Sequence, residues 1–168
     1  MNDLSKYNAI KDSLKSGDLI LWQTNNFVGN AIQLFTGSIY SHASIVLRLS
    51  EYEGLERRRF TTEALRYGVV LNLLSRRLEH QNGVAWVFPL KDDWDLKRQA
   101  IGEKALSLVG IPYDYGSLWK MISGEVFADA LKLFCSEYCF LAYGFEGQAP
   151  TPGEMPSLGI FKKGVKLI

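Results

Sequence analysis

FCSEYCFLAY, residues 134–143, follows the apolar run Leu131–Phe134, reads as a helix over Ser136–Tyr143, and is stopped by Gly144. Cys135 opens that predicted helix. A thiol at a helix N-terminus feels the positive end of the backbone dipole and the free N–H groups of the first turn. Both favour the thiolate, the reactive form of cysteine. The same N–H groups, with Ser136 next in line, can hold the oxyanion of a tetrahedral intermediate. On position alone Cys135 is equally a small core residue, because free cysteine is so often buried. Glu137, also in the first turn, suits the helix but works against a thiolate beside it. Cys139 lies one turn further in and is expected to be inert core.

Outward from this helix the chain alternates strand and turn. Asp18–Trp22 (DLILW) reads as a buried strand. Asn26–Phe35 reads as a short helix capped by Asn25 or Asn26, with Val28, Ile32 and Phe35 near helical spacing and Gly37 after its end. His42–Leu49 (HASIVLRL) is a strand with His42, Ser44 and Val46 on one face and Ala43, Ile45 and Leu47 on the other. Phe60–Leu65, Val69–Leu74 and Val84–Leu90 extend the pattern into an antiparallel meander. Asp95–Val109 is a helix with Leu96, Ala100, Ile101, Ala105 and Leu108 as one stripe and Asp95 as its cap. Ser117–Leu133 reads as an interrupted helix, Gln148–Gly159 as an ordered proline-containing loop, and Phe161–Ile168 as a returning strand. Without repeats, low-complexity segments or linkers, residues 1–168 are read as one domain.

Composition sets the outer limits. With 47% hydrophobic and 22% charged residues and a formal net charge of +1, the chain has the balance of a globular protein and no global pull towards nucleic acid or an anionic membrane. The run Arg57-Arg58-Arg59 is flanked by Glu51, Glu53 and Glu56, and reads as a solvated turn. Met1–Ser16 lacks the apolar core of a leader, and no apolar run is long enough to span a bilayer, so a soluble protein is expected, cytoplasmic as written or exported if a leader is missing. Two cysteines cannot build a disulfide framework, and with only His42 and His80 besides, a metal site is not expected. No G-x-S-x-G elbow, P-loop or dinucleotide fingerprint is present, and no cofactor is expected.

His42 gains weight from Cys135. A histidine at the start of a strand can present its ring at the rim of a sheet, and paired with a helix-opening cysteine it becomes a candidate general base. Glu63 is the candidate third member. If the strands of His42 and Glu63 form a hairpin, the start of one meets the end of the other, and a carboxylate there can take the imidazole N–H and fix its tautomer. Its neighbours Thr61, Thr62, Ala64 and Leu65 suggest partial burial, and a buried carboxylate is costly unless paired. The alternative is an exposed strand residue.

The strings LKSGDLILW (Leu14–Trp22), YSHASIVL (Tyr40–Leu47), TTEALRYGVV (Thr61–Val70), GIPYDYGSL (Gly110–Leu118) and FCSEYCFLAY together resemble the permuted NlpC-type cysteine hydrolases, the YiiX-like branch of the papain-like clan. The resemblance runs from about Leu14 to Pro156, with the histidine ahead of the cysteine in the chain, the reverse of papain. It implies a circularly permuted papain-like α+β fold, a central antiparallel sheet packed against the cysteine helix. It places the nucleophile on Cys135, the base on His42 and the polar orienting residue on Glu63. Tyr113 and Tyr115, with Tyr40 and Asp18, become candidate substrate contacts, and Ser136 the candidate oxyanion position. The clan spans peptidases, amidases and acyltransferases, including lecithin–retinol-acyltransferase-like enzymes. The expected activity is hydrolysis of an amide in a small peptide-like substrate, cell-wall peptide by resemblance, through a thioester. The alternatives are lipid amide or ester hydrolysis or acyl transfer, for which the aromatic-rich stretch Tyr113–Phe134 could wall an acyl pocket, and a non-catalytic binding module.

Overall fold

The computed structural model describes residues 1–65, 67–111 and 135–168. Their elements run α1 (Ser5–Ile10), β1 (Leu19–Thr24), α2 (Phe27–Thr36), β2 (His42–Leu47), β3 (Phe60–Leu65), β4 (Gly68–Leu73), α3 (Leu74–Glu79), β5 (Gly83–Phe88), α4 (Arg98–Ser107), a helix over residues 135–142 and β6 (Val165–Lys166). The strands form one sheet in the order β4-β3-β2-β1-β5-β6, with every pair antiparallel. β1 to β4 are the expected meander. β5 instead returns to the free side of β1, so β1 lies inside the sheet, and its run Leu19–Trp22 is fully buried. That explains a strand sequence with no polar alternation: both faces are covered.

Strand parity divides the interior into two clusters. Leu19 and Leu21 of β1 with Ala43, Ile45 and Leu47 of β2 face Ile101 and Ala105 of α4 and the side chains of Cys135, Tyr138, Cys139, Ala142 and Tyr143. Ile20, Trp22 and Val46 face the other way, onto Tyr7, Leu14, Leu74 and Leu78. Each fully buried aliphatic side chain contributes roughly 1.5–3 kcal/mol of transfer free energy. The cysteine helix therefore belongs to one face, and α1 and α3 to the other.

Several expectations are corrected here. The Asp95–Val109 helix is split: Asp92–Lys97 is a 3₁₀ turn and the α-helix starts at Arg98. Asp95 is no cap; its carboxylate takes Arg98 Nε at 2.6 Å and Lys15 Nζ at 3.3 Å. Of the expected stripe only Ile101 and Ala105 are buried, while Leu96 and Ala100 are exposed, because that face is used up within one turn of helix. α2 forms as expected, with the Asn26 side chain accepting from Gly29 N at 2.7 Å and Gly37 closing it at φ +62°. Its apolar spacing does not mark a core face: Gly29 and Ile32 are its buried residues, whereas Phe27, Leu34 and Phe35 are exposed. Gly29 approaches Thr24 so closely that a Cβ would meet its carbonyl oxygen at 2.1 Å, which fixes α2 against the end of β1. α1 and α3 are short helices without a sequence signal. The expected Ser117–Leu133 helix lies outside the described residues. The Phe161–Ile168 return is reduced to β6 and a single bridge between Leu90 and Phe161.

Candidate active site

His42 stands at the first position of β2, opposite Trp22 of β1. The β2–β3 ladder runs from Leu47↔Phe60 to Ile45↔Thr62 and ends short of it, while β3 continues against β4 as far as Leu65↔Gly68. The sheet is thus parted where His42 and Glu63 meet, and the imidazole has room between the strands. His42 Nε2 lies 2.9 Å from Glu63 Oε2. The ring also shares a side-chain hydrogen bond with Cys135. By parity His42 goes with Ser44 and Val46, yet its ring reaches the sulfur on the other face, as the open end of the ladder permits.

The electrostatics follow from this contact. Burial disfavours an imidazolium, but Cys135 and Glu63 on either side outweigh it and push the His42 pKa up to about 9. Burial likewise opposes a charged Glu63, yet the His42 hydrogen bond and charge, with Arg77 and Asn72, hold its carboxyl down to about 2. Cys139, one turn beyond Cys135, is the reverse case: burial and the nearby Cys135 and Glu63 push its thiol well up, so it stays protonated. Both sulfurs are buried and neither forms a disulfide. What separates them is the histidine, not exposure.

The residues that hold Glu63 are ones the sequence reading missed. Glu63 is fully buried. Its Oε1 accepts from Asn72 Nδ2 at 3.0 Å and from Arg77 Nε at 3.0 Å, and Oε2 lies 3.3 Å from the same Nε. Arg77 in turn donates to Gln81 Oε1 at 2.5 Å and stacks over the Trp22 ring at 4.4 Å. Thr61 opposite Asn72 in the β3–β4 register was the available hint, since Glu63 shares its face. Arg77, in a short helix without sequence signal, gave none.

The other site candidates separate. Ser136 is fully buried directly after Cys135, and Glu137 is exposed. Tyr40, two residues before His42, is half-buried and sets its ring edge-on to Trp86 at 5.2 Å and Phe88 at 6.0 Å, on the face of the cysteine helix. Tyr113 and Tyr115 lie outside the described residues. Asp18 is corrected: it is not at this end of the sheet. It precedes β1, about 13 Å along the strand pair from the Trp22–His42 end at 3.3 Å per residue. Its carboxylate is taken up by Leu90 N at 3.0 Å, Arg98 Nη1 at 2.8 Å and Lys15 N at 2.9 Å. The cysteine helix spans the same interval: Tyr143, past its C-terminal end, donates its hydroxyl to Gly17 O at 3.0 Å. Among the described residues no three His, Cys, Asp or Glu side chains gather as a metal site, and no helix is long and apolar enough to cross a membrane.

Comparison with known proteins gives the family and supports the fold. Residues 13–154 match the family described as permuted papain-like amidase enzyme, YaeF/YiiX, C92 family. The chain belongs to that family, whose members are papain-like cysteine amidases or peptidases. Among solved structures it is similar to metalloprotein yiiX from Escherichia coli O157:H7, at a TM-score of 0.57 and 23% identity over 77% of this chain. The match spans 64% of that protein's length, and at this identity it speaks for the fold. No curated protein matches the chain.

Proposed function

We propose that this chain is a cysteine amidase that cleaves an amide bond of a small peptide-like substrate through a thioester on Cys135. The observation that carries the reading is a single imidazole hydrogen-bonded both to a buried carboxylate and to the cysteine. The raised His42 pKa favours keeping the proton on the ring while the sulfur is thiolate. The thiolate attacks the carbonyl carbon, and its C=O electrons move onto oxygen. Backbone N–H groups at Cys135 and Ser136 are assigned to that oxyanion. On collapse the C–N bond breaks and His42 gives its proton to the leaving amine. A water, deprotonated by His42, then attacks the thioester and expels the Cys135 thiolate. Glu63 keeps the ring oriented and its charge compensated throughout. Tyr40, on the same face, is assigned to the rim of the substrate cleft.

Cell-wall peptide is the substrate class the resemblance suggests. An acyl-bearing amide is the second reading, favoured by Phe27 and Leu34, which are 89% and 82% exposed on the helix leading to His42. A panel of purified cell-wall peptides and N-acyl amides tests both. Release of amine, with a hydroxylamine-trappable adduct on Cys135, supports the amidase. A protein that forms no adduct with any member and labels no faster at Cys135 than at Cys139 is a binding module instead.

A further inference from the structure

Three charges are packed in the site if Cys135 is thiolate and His42 imidazolium: two negative and one positive. Glu63 has no access to water, so the imbalance cannot be relieved by solvent. Arg77 supplies the missing charge. Among the described residues it is the one guanidinium on Glu63, reaching both oxygens from α3, while Asn72 reaches the same carboxylate from β4 and His42 from β2. From the cysteine helix, Cys139 feels the same carboxylate. Arg77 is itself held on two sides, by Gln81 and by the Trp22 ring, so its fork is fixed in place. Beyond it lies a cavity of about 220 Å³ lined by Asn72, Leu73, Arg76, Arg77 and His80. Arg77 and Asn72 stand between that cavity and the carboxylate.

Resting on the amidase reading above, we infer that Arg77 is a positioning residue: with Asn72 it holds Glu63 ionised and aimed at His42, and so balances the charge of the cysteine–histidine pair. Arg77 touches neither the sulfur nor the reacting carbonyl. Its effect passes through Glu63 and must therefore show in how the site titrates.

The test uses the full chain and the rate of Cys135 alkylation by iodoacetamide against pH, which needs no substrate. Arg77→Met keeps the stem over Trp22 and the plug against the cavity, but removes the charge. It is expected to raise the acid limb of the alkylation profile by about one pH unit, since a neutral Glu63 no longer supports imidazolium. Arg77→Lys restores a charge without the fork, and is expected to recover most of the shift. Asn72→Leu leaves Arg77 in place and moves the limb the same way by less, which keeps the inference testable if Arg77→Met does not fold. A limb unchanged in Arg77→Met and Asn72→Leu overturns the inference. Carbon-13 NMR of the Glu63 carboxyl separates this from failure of the amidase reading. If Cys135 proves unreactive, a carboxyl ionised across about pH 4–8 in the parent and titrating within that range in Arg77→Met still supports Arg77. A carboxyl that titrates alike in both removes it.

Discussion

Among the described residues Glu63 and Asp18 are the carboxylates this fold takes out of water, and they stand at opposite ends of the β1–β2 pair. Each has an arginine: Arg77 for Glu63 at 3.0 Å and Arg98 for Asp18 at 2.8 Å. Asp18 spends its remaining acceptors on the backbone N–H groups of Leu90 and Lys15. Glu63 spends one on His42, whose proton can leave. The lesson is that burial and an arginine do not distinguish a site from a strut. The distinguishing feature is a movable proton in the network with a nucleophile on its far side. Asp18 ties three segments together; Glu63 ties a strand to chemistry.

The largest effect expected from breaking the Glu63 end comes from Cys135→Ser. Turnover should fall by about 10⁴-fold or more, because a serine without further activation does not form the acyl-enzyme. Thermal stability should barely move, since the replacement is nearly isosteric.

At the other end, Asp18→Asn should cost roughly 3 kcal/mol of unfolding free energy, by leaving Arg98 and a buried amide short of an acceptor. Denaturant titration reads this directly, and turnover per folded molecule should change less than about threefold, within the scatter of distant sites. A large loss of turnover at full folding would erase the distinction between the two carboxylates.

Glu63→Gln should add a loss of turnover to a comparable cost in stability, since Arg77 loses its buried partner as Arg98 does. It keeps the volume and one acceptor oxygen for its neighbours, removes the charge, and can hold the wrong tautomer by donating from its amide. Turnover per folded molecule should fall roughly ten- to a thousand-fold, less than for Cys135→Ser, since an orienting group assists a base that assists the nucleophile. Unchanged turnover and an unchanged alkylation profile would make Glu63 a second Asp18, and leave a Cys–His dyad.

The smallest effect is on stability against pH. A His42 pKa raised from 6.5 to about 9 contributes stability that is complete below about 6.5 and lost as pH rises through about 9. A Glu63 pKa lowered from 4.5 to about 2 contributes stability present above about 4.5 and lost as pH falls through about 2. The parent should therefore lose melting temperature on both sides of that window relative to a His42→Gln, Glu63→Gln double variant. Parallel curves would mean that the two groups titrate as they do in the unfolded chain.

The sequence carried these two ends unequally. His42, Glu63 and Cys135 were readable as a group because strand starts, a hairpin and a helix-bearing cysteine each have a local pattern, and the family strings join them. β3 was readable to the residue, Phe60–Leu65, because alternation and a bounding turn coincide. Asp18 was misplaced because the distance from one strand end to the other is tertiary information. Arg77 and Asn72 escaped notice because an arginine in a six-residue helix looks like solvated surface until the carboxylate it serves is located. α2 misled for a different reason: its apolar residues follow helical spacing, but a glycine and one isoleucine make its buried contact, and the rest face outward.

The two cysteines report most directly on whether His42 activates Cys135. They lie on one helix, both buried and neither in a disulfide, so a difference in reactivity must come from His42 and Glu63 rather than from exposure. Limiting iodoacetamide, with the labelled positions resolved by peptide mass spectrometry, measures that difference at neutral pH. Cys135 should be modified first, Cys139 should react only when the chain unfolds, and His42→Ala should remove the preference. Equal labelling of Cys135 and Cys139, or a preference for Cys139, would contradict it.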